Sequence, residues 1–130
     1  MTLREARIMF TRLKAELILW VNQEMGPQGY GIASGEGMDR LTEKDSTSDH
    51  MKGSLHNVGL AEDEDLYKDG KYVCYEGPSC KNSLHDPLDR GHDQIGAKWE
   101  SMHQNCKWGG RFKDPNHYSF APKELVGNRK

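Results

Sequence analysis

Two segments of the chain carry the residue types of a catalytic zinc site. Residues 54–63 fit the pattern S-x-H-x-x-G-x-A-x-D, and residues 114–117 have the sequence Asp-Pro-Asn-His. Catalytic zinc takes three protein ligands, commonly imidazole and carboxylate groups, and keeps a fourth position for water. Zinc also lowers the pKa of that water toward neutrality, so that the water can attack an amide. His56, Asp63 and His117 are therefore the candidate metal ligands.

A peptidase of this kind needs a further carboxylate, which takes the proton of the water and passes it to the leaving nitrogen. Asp114 stands three residues before His117. At that spacing its side chain can share the water without being a ligand. Asp114 is therefore the candidate general base.

The acidic run that contains Asp63 offers more than one carboxylate. Because successive side chains of a strand point to opposite faces, Asp63 shares a face with Ala61 and Asp65. Glu62 and Glu64 point away from that face, and we expect them to lie in water. The alternation does not separate Asp63 from Asp65 as the ligand.

The N-terminal region, residues 1–25, is predicted to be a helix that packs against the core. Thr2 and Glu5 fit a capping box, T-x-x-E, and Gly26-Pro27 ends the pattern. Apolar residues recur between these limits at three- and four-residue steps, as on one face of a helix. They are Ala6, Phe10, Leu13, Leu17, Trp20 and Val21.

Short strand patterns and a second helix follow. The strand candidates are Tyr30–Ser34, Leu55–Asp65 and His117–Phe120; Asp69-Gly70 predicts a hairpin, and a helix is predicted over 93–103. The polar stretch 38–53 predicts a long active-site loop, and 121–130 a solvated tail. This order predicts a single α+β domain, whose antiparallel sheet carries the zinc site and packs against the two helices.

Length and charge exclude several classes of protein. The chain has 130 residues and a formal net charge of −2, which favours one domain and gives no basic face for nucleic acid. No signal-peptide pattern and no apolar run long enough to cross a bilayer is present. We therefore expect a monomer that is made in the cytoplasm and does not insert into a membrane.

The three cysteines and the remaining histidines offer weaker signals. Cys74, Cys80 and Cys106 are odd in number, which argues against a disulfide framework, and they lack the C-x-x-C pair of a cysteine zinc site. Reduced thiols are the expectation, with a bridge between Cys74 and Cys80 as the alternative. The histidines outside the motifs are expected to be exposed and without a catalytic role; they are His50, His85, His92 and His103.

The two motifs together resemble the family of zinc D-Ala-D-Ala carboxypeptidases and L-alanyl-D-glutamate endopeptidases, and above all its small bacteriophage endolysin members. Other segments agree in order: 35–37 at the end of the first strand, 68–72 in the hairpin, 99–101 in the second helix and 108–112 before the last ligand. The resemblance runs from about residue 7 to residue 120. It implies the small α+β fold shared with the hedgehog signalling domain.

The resemblance also implies roles for individual residues. It implies that His56, Asp63 and His117 hold Zn²⁺ and that Asp114 is the base. It implies an arginine upstream of the first motif that stabilises the developing oxyanion, and Arg40 is the candidate, since a fixed cation there would meet the charge of the transition state. Ser54, which opens the first motif, and Trp108, in the turn before the second motif, are expected to support the ligands or bind substrate.

The function implied is cleavage of bacterial peptidoglycan stem peptides, at the L-Ala–D-Glu bond, by a phage endolysin that reaches the cell wall once the membrane is opened. A D-Ala-D-Ala carboxypeptidase is the alternative within the family. It would need a cation for the free carboxylate of its substrate, such as Arg111, Lys52 or Arg40. A non-catalytic zinc domain of the hedgehog kind is the alternative outside enzymes.

Overall fold

A computed structural model describes residues 1–34, 55–74, 84–85 and 90–127, with only the backbone described at 84–85. The described residues form three α-helices and six strands. The helices are α1, Leu3–Trp20; α2, Gly91–Met102; and α3, Lys123–Val126. The strands are β1, Tyr30–Ser34; β2, Ala61–Lys68; β3, Lys71–Cys74; β4, Leu84–His85; β5, Cys106–Trp108; and β6, His117–Phe120.

Helix α1 begins where its sequence predicts, and a further helical turn continues from its end to the predicted limit. The Thr2 hydroxyl accepts a hydrogen bond from the Glu5 N–H at 3.1 Å, which satisfies one of the amides that an N-terminus leaves open. After Trp20 the chain continues as a π turn, Val21–Met25, and then as a 3₁₀ turn that Gly29 ends with φ of 98°. The helical region therefore reaches Met25.

Strand β2 is the centre of the sheet. It pairs antiparallel with β1, with β3 and with β6, and β6 pairs antiparallel with β5. Asp69 and Gly70 join β2 to β3 with φ of 51° and 80°, which is the turn that an Asp-Gly pair favours in a hairpin. The two-residue strand β4 pairs with β3 in parallel. The predicted α+β fold with an antiparallel sheet is confirmed, and β1, β2, β3, β5 and β6 form the antiparallel part.

The core lies between this sheet and the helices α1 and α2. The Trp99 ring of α2 meets Phe10 of α1 and Tyr118 of β6 edge to face, with ring centroids 5.9 and 6.2 Å apart. Its indole N–H is bonded to the carbonyls of Ser119 and Lys107. Both helices are therefore fixed on the face of the sheet to which Tyr118 points.

Some predicted elements differ from the structure. Residues Leu55–Val58 form a 3₁₀ turn, and the strand begins only at Ala61, so His56 is not on a strand. Strand β5 was not predicted, and α3 lies in the segment interpreted as a tail, where Val126 is buried. The second helix begins at Gly91, two residues before the predicted start.

Two expectations about exposure are wrong. Glu64 does point away from Asp63, but it is buried against α1 and forms an ion pair with Lys14, so it does not lie in water. His92 is also buried, and its Nε2 lies 3.0 Å from the Val73 carbonyl oxygen. His103 is half-buried against Phe120. Both histidines therefore pack into the fold.

The cysteines also differ from the expectation. Cys74 is disulfide-bonded, so the expectation of reduced thiols is wrong for this residue. Cys106 is a free, buried thiol. Cys80, the alternative partner that the sequence offers for Cys74, lies outside the described residues.

Candidate metal centre

The side chains of His56, Asp63 and His117 converge. His56 Nε2 lies 3.1 Å from His117 Nδ1 and 3.3 Å from Asp63 Oδ1, and His117 Nδ1 lies 3.8 Å from Asp63 Oδ1. A tetrahedral zinc ion with bonds of ordinary length separates its ligand atoms by about 3.4 Å. The three atoms therefore already stand at the spacing that such an ion requires.

These side chains are also screened from water. The imidazoles of His56 and His117 are each 5% exposed, and the Asp63 carboxylate is 24% exposed. Two neutral imidazoles and one carboxylate would leave a bound divalent ion with one net positive charge. The donor set, two nitrogens and one oxygen, is one that zinc accepts. The residues present can therefore hold a metal ion.

A tight turn presents His56. The N–H of Leu60 is bonded to the Leu55 carbonyl at 2.9 Å, and Gly59 closes the turn with φ of 75°, where a side chain would be strained. Arg7 of α1 donates from Nε to the Val58 carbonyl at 2.8 Å. The turn that carries the first ligand is therefore attached to the N-terminal helix.

Strand register presents the other two ligands. Asp63 of β2 is the direct partner of His117 of β6, so their side chains stand side by side on one face. Asp65 lies on the same face, but its Oδ1 accepts a hydrogen bond from Asn116 Nδ2 at 2.9 Å. The structure thus separates the two aspartates, which the alternation could not.

Asp114 lies beside the cluster without joining it. Its Oδ2 is 4.0 Å from His117 Nδ1, and its side chain is 54% exposed. Among the described residues, the set whose ligand atoms all lie within 4.8 Å of one another is His56, Asp63 and His117. A half-exposed carboxylate next to the cluster can exchange protons with water and with a bound molecule.

The segment that leads to His117 is tightly packed. A Cβ atom at Gly109 would overlap the Asp114 carbonyl oxygen and the His117 Cβ. The Phe112 ring meets the His117 imidazole with centroids 5.6 Å apart. A bulkier residue at position 109 would therefore displace both Asp114 and His117.

Trp108 does not lie among the ligands but contacts the segment before His117. Its indole N–H donates to the Pro115 carbonyl at 2.8 Å, inside the segment between Asp114 and His117. Its ring lies where Cβ atoms at Gly96 and Gly110 would be. The expectation that Trp108 supports the ligands or binds substrate stays a prediction.

Behind the cluster, on the helix side of β2, is a buried ion pair that the sequence did not reveal. Lys14 Nζ is bonded to Glu64 and lies 3.1 Å from Glu62 Oε2. Burial raises the pKa of Glu64 above its ordinary value, the Lys14 ammonium opposes that rise, and the Glu62 carboxylate adds to it. The one feature of the sequence that could have indicated this ion pair was the position of Lys14 within the apolar face of α1.

Two of the expected site residues, Arg40 and Ser54, lie outside the described residues, as does the segment 38–53, which was predicted to be an active-site loop. Lys52, one of the cations considered for a substrate carboxylate, lies there too. No helix in the described part of the chain is long and apolar enough to cross a membrane. Comparison with protein-family models, with curated proteins and with solved structures gives no match.

Proposed function

We propose that this chain is a zinc metallopeptidase that hydrolyses peptidoglycan stem peptides, at the L-Ala–D-Glu bond, as phage endolysins of this type do. The observation that carries the proposal is the convergence of His56, Asp63 and His117 at zinc-ligand spacing. The half-exposed Asp114 beside them supports a catalytic role over a structural one. A purely structural zinc site has four protein ligands and needs no base.

In this proposal zinc, when bound, supplies a Lewis acid and a water of lowered pKa. His56, Asp63 and His117 hold the ion, and the Asp63 carboxylate offsets part of its charge. Asp114 accepts a proton from the attacking water at Oδ2 and returns it to the leaving nitrogen. The tight packing at Gly109 keeps Asp114 and His117 at a fixed separation while this happens.

The test combines metal analysis with digestion of purified peptidoglycan before and after chelation. We expect one zinc per chain and a loss of activity on chelation that added zinc reverses. Mass spectrometry of the products should show new amino termini on glutamate. Release of free D-alanine would indicate the carboxypeptidase instead.

Three variants separate the roles. We expect Asp114→Asn to retain zinc and lose at least about a hundredfold in kcat, because general-base catalysis contributes that much or more. We expect His56→Ala to lose zinc and activity together. Glu16→Gln, which removes an exposed carboxylate on α1, is the matched control. A zinc-loaded protein that leaves every wall peptide intact would favour the non-catalytic zinc domain.

A further inference from the structure

Glu100, near the end of α2, binds both ends of the turn that leads to the last metal ligand. Its Oε2 accepts a hydrogen bond from the Trp108 N–H at 3.0 Å. Both of its oxygens accept from Arg111 Nε at 3.1 Å, and Arg111 Nη2 donates to Oε1. The carboxylate is 19% exposed and the guanidinium 73% exposed. Glu100 thus spans the 3₁₀ turn Gly109–Phe112 from one side.

That turn continues into the candidate site through backbone hydrogen bonds. The Asp114 N–H donates to the Gly109 carbonyl at 2.9 Å, and the His117 N–H donates to the Asp114 carbonyl at 3.0 Å. The Trp108 indole holds the Pro115 carbonyl. Hydrogen bonds, joined by the peptide bond between Trp108 and Gly109, therefore connect the Glu100 carboxylate to the backbone of His117.

The same segment has little room to adjust. A Cβ atom at Gly96 or Gly110 would overlap the Trp108 ring. A Cβ atom at Gly109 would overlap the Asp114 carbonyl oxygen and the His117 Cβ. Close packing of this kind transmits a displacement instead of absorbing it. A shift of Trp108 away from α2 would therefore move Asp114 and His117.

We propose that Glu100 is a positioning residue: it holds Asp114 and His117 at the metal cluster without touching the metal or the substrate. Arg111 fixes the orientation of the carboxylate through its paired N–H groups, so that Oε2 faces the Trp108 amide. The effect on catalysis rests on the proposed function. The effect on metal binding does not, because it concerns only the placement of His117.

Glu100→Gln is the informative change. A glutamine amide has one acceptor oxygen, and its NH₂ group cannot accept from Trp108 or Arg111. Removing a group that is hydrogen-bonded directly to a metal ligand commonly changes metal affinity or activity by about 10- to 100-fold, and Glu100, which acts through Trp108, should lie at the lower end of that range. We expect about a tenfold weaker Co²⁺ affinity and an altered visible spectrum of the Co²⁺ protein. We also expect a kcat at least about tenfold lower with KM changed less than about twofold.

Two further variants make the result specific. Arg111→Lys keeps the charge but loses the paired geometry, so its effects should be in the same direction and smaller. Asp93→Asn removes an ion-paired carboxylate at the other end of α2, where Asp93 lies 3.6 Å from Arg90. This control should retain the spectrum, affinity and kcat of the unchanged protein.

A metal-free measurement accompanies these. In chelated protein, hydrogen exchange at the His117 amide should be at least about tenfold faster in Glu100→Gln than in Asp93→Asn, because the support of its turn is lost. Unchanged His117 exchange together with an unchanged Co²⁺ spectrum would overturn the inference. If the unchanged protein binds Co²⁺ but cleaves no wall peptide, the proposed function fails, while the exchange and spectrum still decide the role of Glu100.

Discussion

The buried ion pair between α1 and β2 gives a stability prediction with a distinctive pH dependence. Lys14 and Glu64 side chains are each 5% exposed, so replacing Lys14 with methionine leaves a carboxylate buried without its cation. Breaking a buried pair in this way costs about 3–5 kcal/mol. Methionine is close in length to lysine and can fill the space, so lost packing adds little.

The Glu64 carboxylate can avoid this cost by taking up a proton, so the free energy of that protonation limits how far Lys14→Met destabilises the protein. From its ordinary pKa of 4.5, protonation of Glu64 at pH 7 costs about 3.4 kcal/mol, since each pH interval of one costs about 1.4 kcal/mol. We therefore expect Lys14→Met to lower the free energy of unfolding by about 3–4 kcal/mol at pH 7. Relative to the unchanged protein, the loss should shrink as the pH falls toward 5, by at most about 1.4 kcal/mol per pH unit, because Glu64 of the unchanged protein has a raised pKa and also takes up protons in this range.

Urea denaturation of chelated protein, followed by circular dichroism at pH 7, 6 and 5, measures this directly. Lys71→Met is the matched control, because Lys71 is exposed on β3 and should change stability by less than about 0.5 kcal/mol. Adding Glu64→Gln to Lys14→Met should recover most of the loss at pH 7. A loss that is below about 1 kcal/mol, or that does not vary with pH, would show that Glu64 reaches water once Lys14 is removed, and would refute the reasoning.

Three further outcomes follow from the site. Gly109→Ala should weaken zinc affinity at least about tenfold, by calorimetry, because its Cβ overlaps the segment that carries the last ligand; unchanged affinity would contradict this. Burial alone would raise the pKa of Glu100, but hydrogen bonds from Arg111 and Trp108 outweigh it and hold that pKa below its ordinary 4.5. Glu100→Gln should therefore lower the free energy of unfolding by about 1.5–3 kcal/mol at pH 6, and this loss should shrink as the pH falls below 4.5. Urea titrations at pH 6 and pH 3 measure the loss. An equal loss at both pH values would argue against hydrogen bonds to an ionised Glu100 carboxylate. Burial, with Glu100 nearby, raises the pKa of Cys106 to about 12. A thiol reagent at pH 8 should therefore leave Cys106 unlabelled, by peptide mapping, until urea unfolds the chain. Rapid labelling of the native protein would show instead that the thiol is accessible.

Local patterns predicted much of the fold. The helical period and capping box gave α1, the Asp-Gly pair gave the β2–β3 hairpin, and the alternation gave the face of Asp63. These features depend on residues close together in sequence. The grouping of His56, Asp63 and His117 was also expected, but from the resemblance of the two motifs to the zinc peptidase family, since zinc chemistry alone left both Asp63 and Asp65 open.

The remaining features depend on partners that are distant in sequence. Glu64 is buried because its cation, Lys14, lies 50 residues away, and no local pattern reports that pairing. The 3₁₀ turn that carries His56 is bonded to Arg7 through the carbonyl of Val58, which lies 51 residues from Arg7 along the chain. Strand β5 has three residues and is held by β6 on one side and α2 on the other, so it is too short to show a period of its own.

Because Asp63 is paired with His117 across β2 and β6, a metal ion could be held by His56, Asp63 and His117 only when these two strands are correctly aligned. If β6 slipped by one residue, the imidazole would turn to the helix side; a slip of two would carry it about 7 Å along the strand. Metal–ligand distances in a genuine site agree with standard values to about 0.2 Å. An ion bound by His56, Asp63 and His117 would therefore stabilise the correctly assembled sheet and no misaligned form of it.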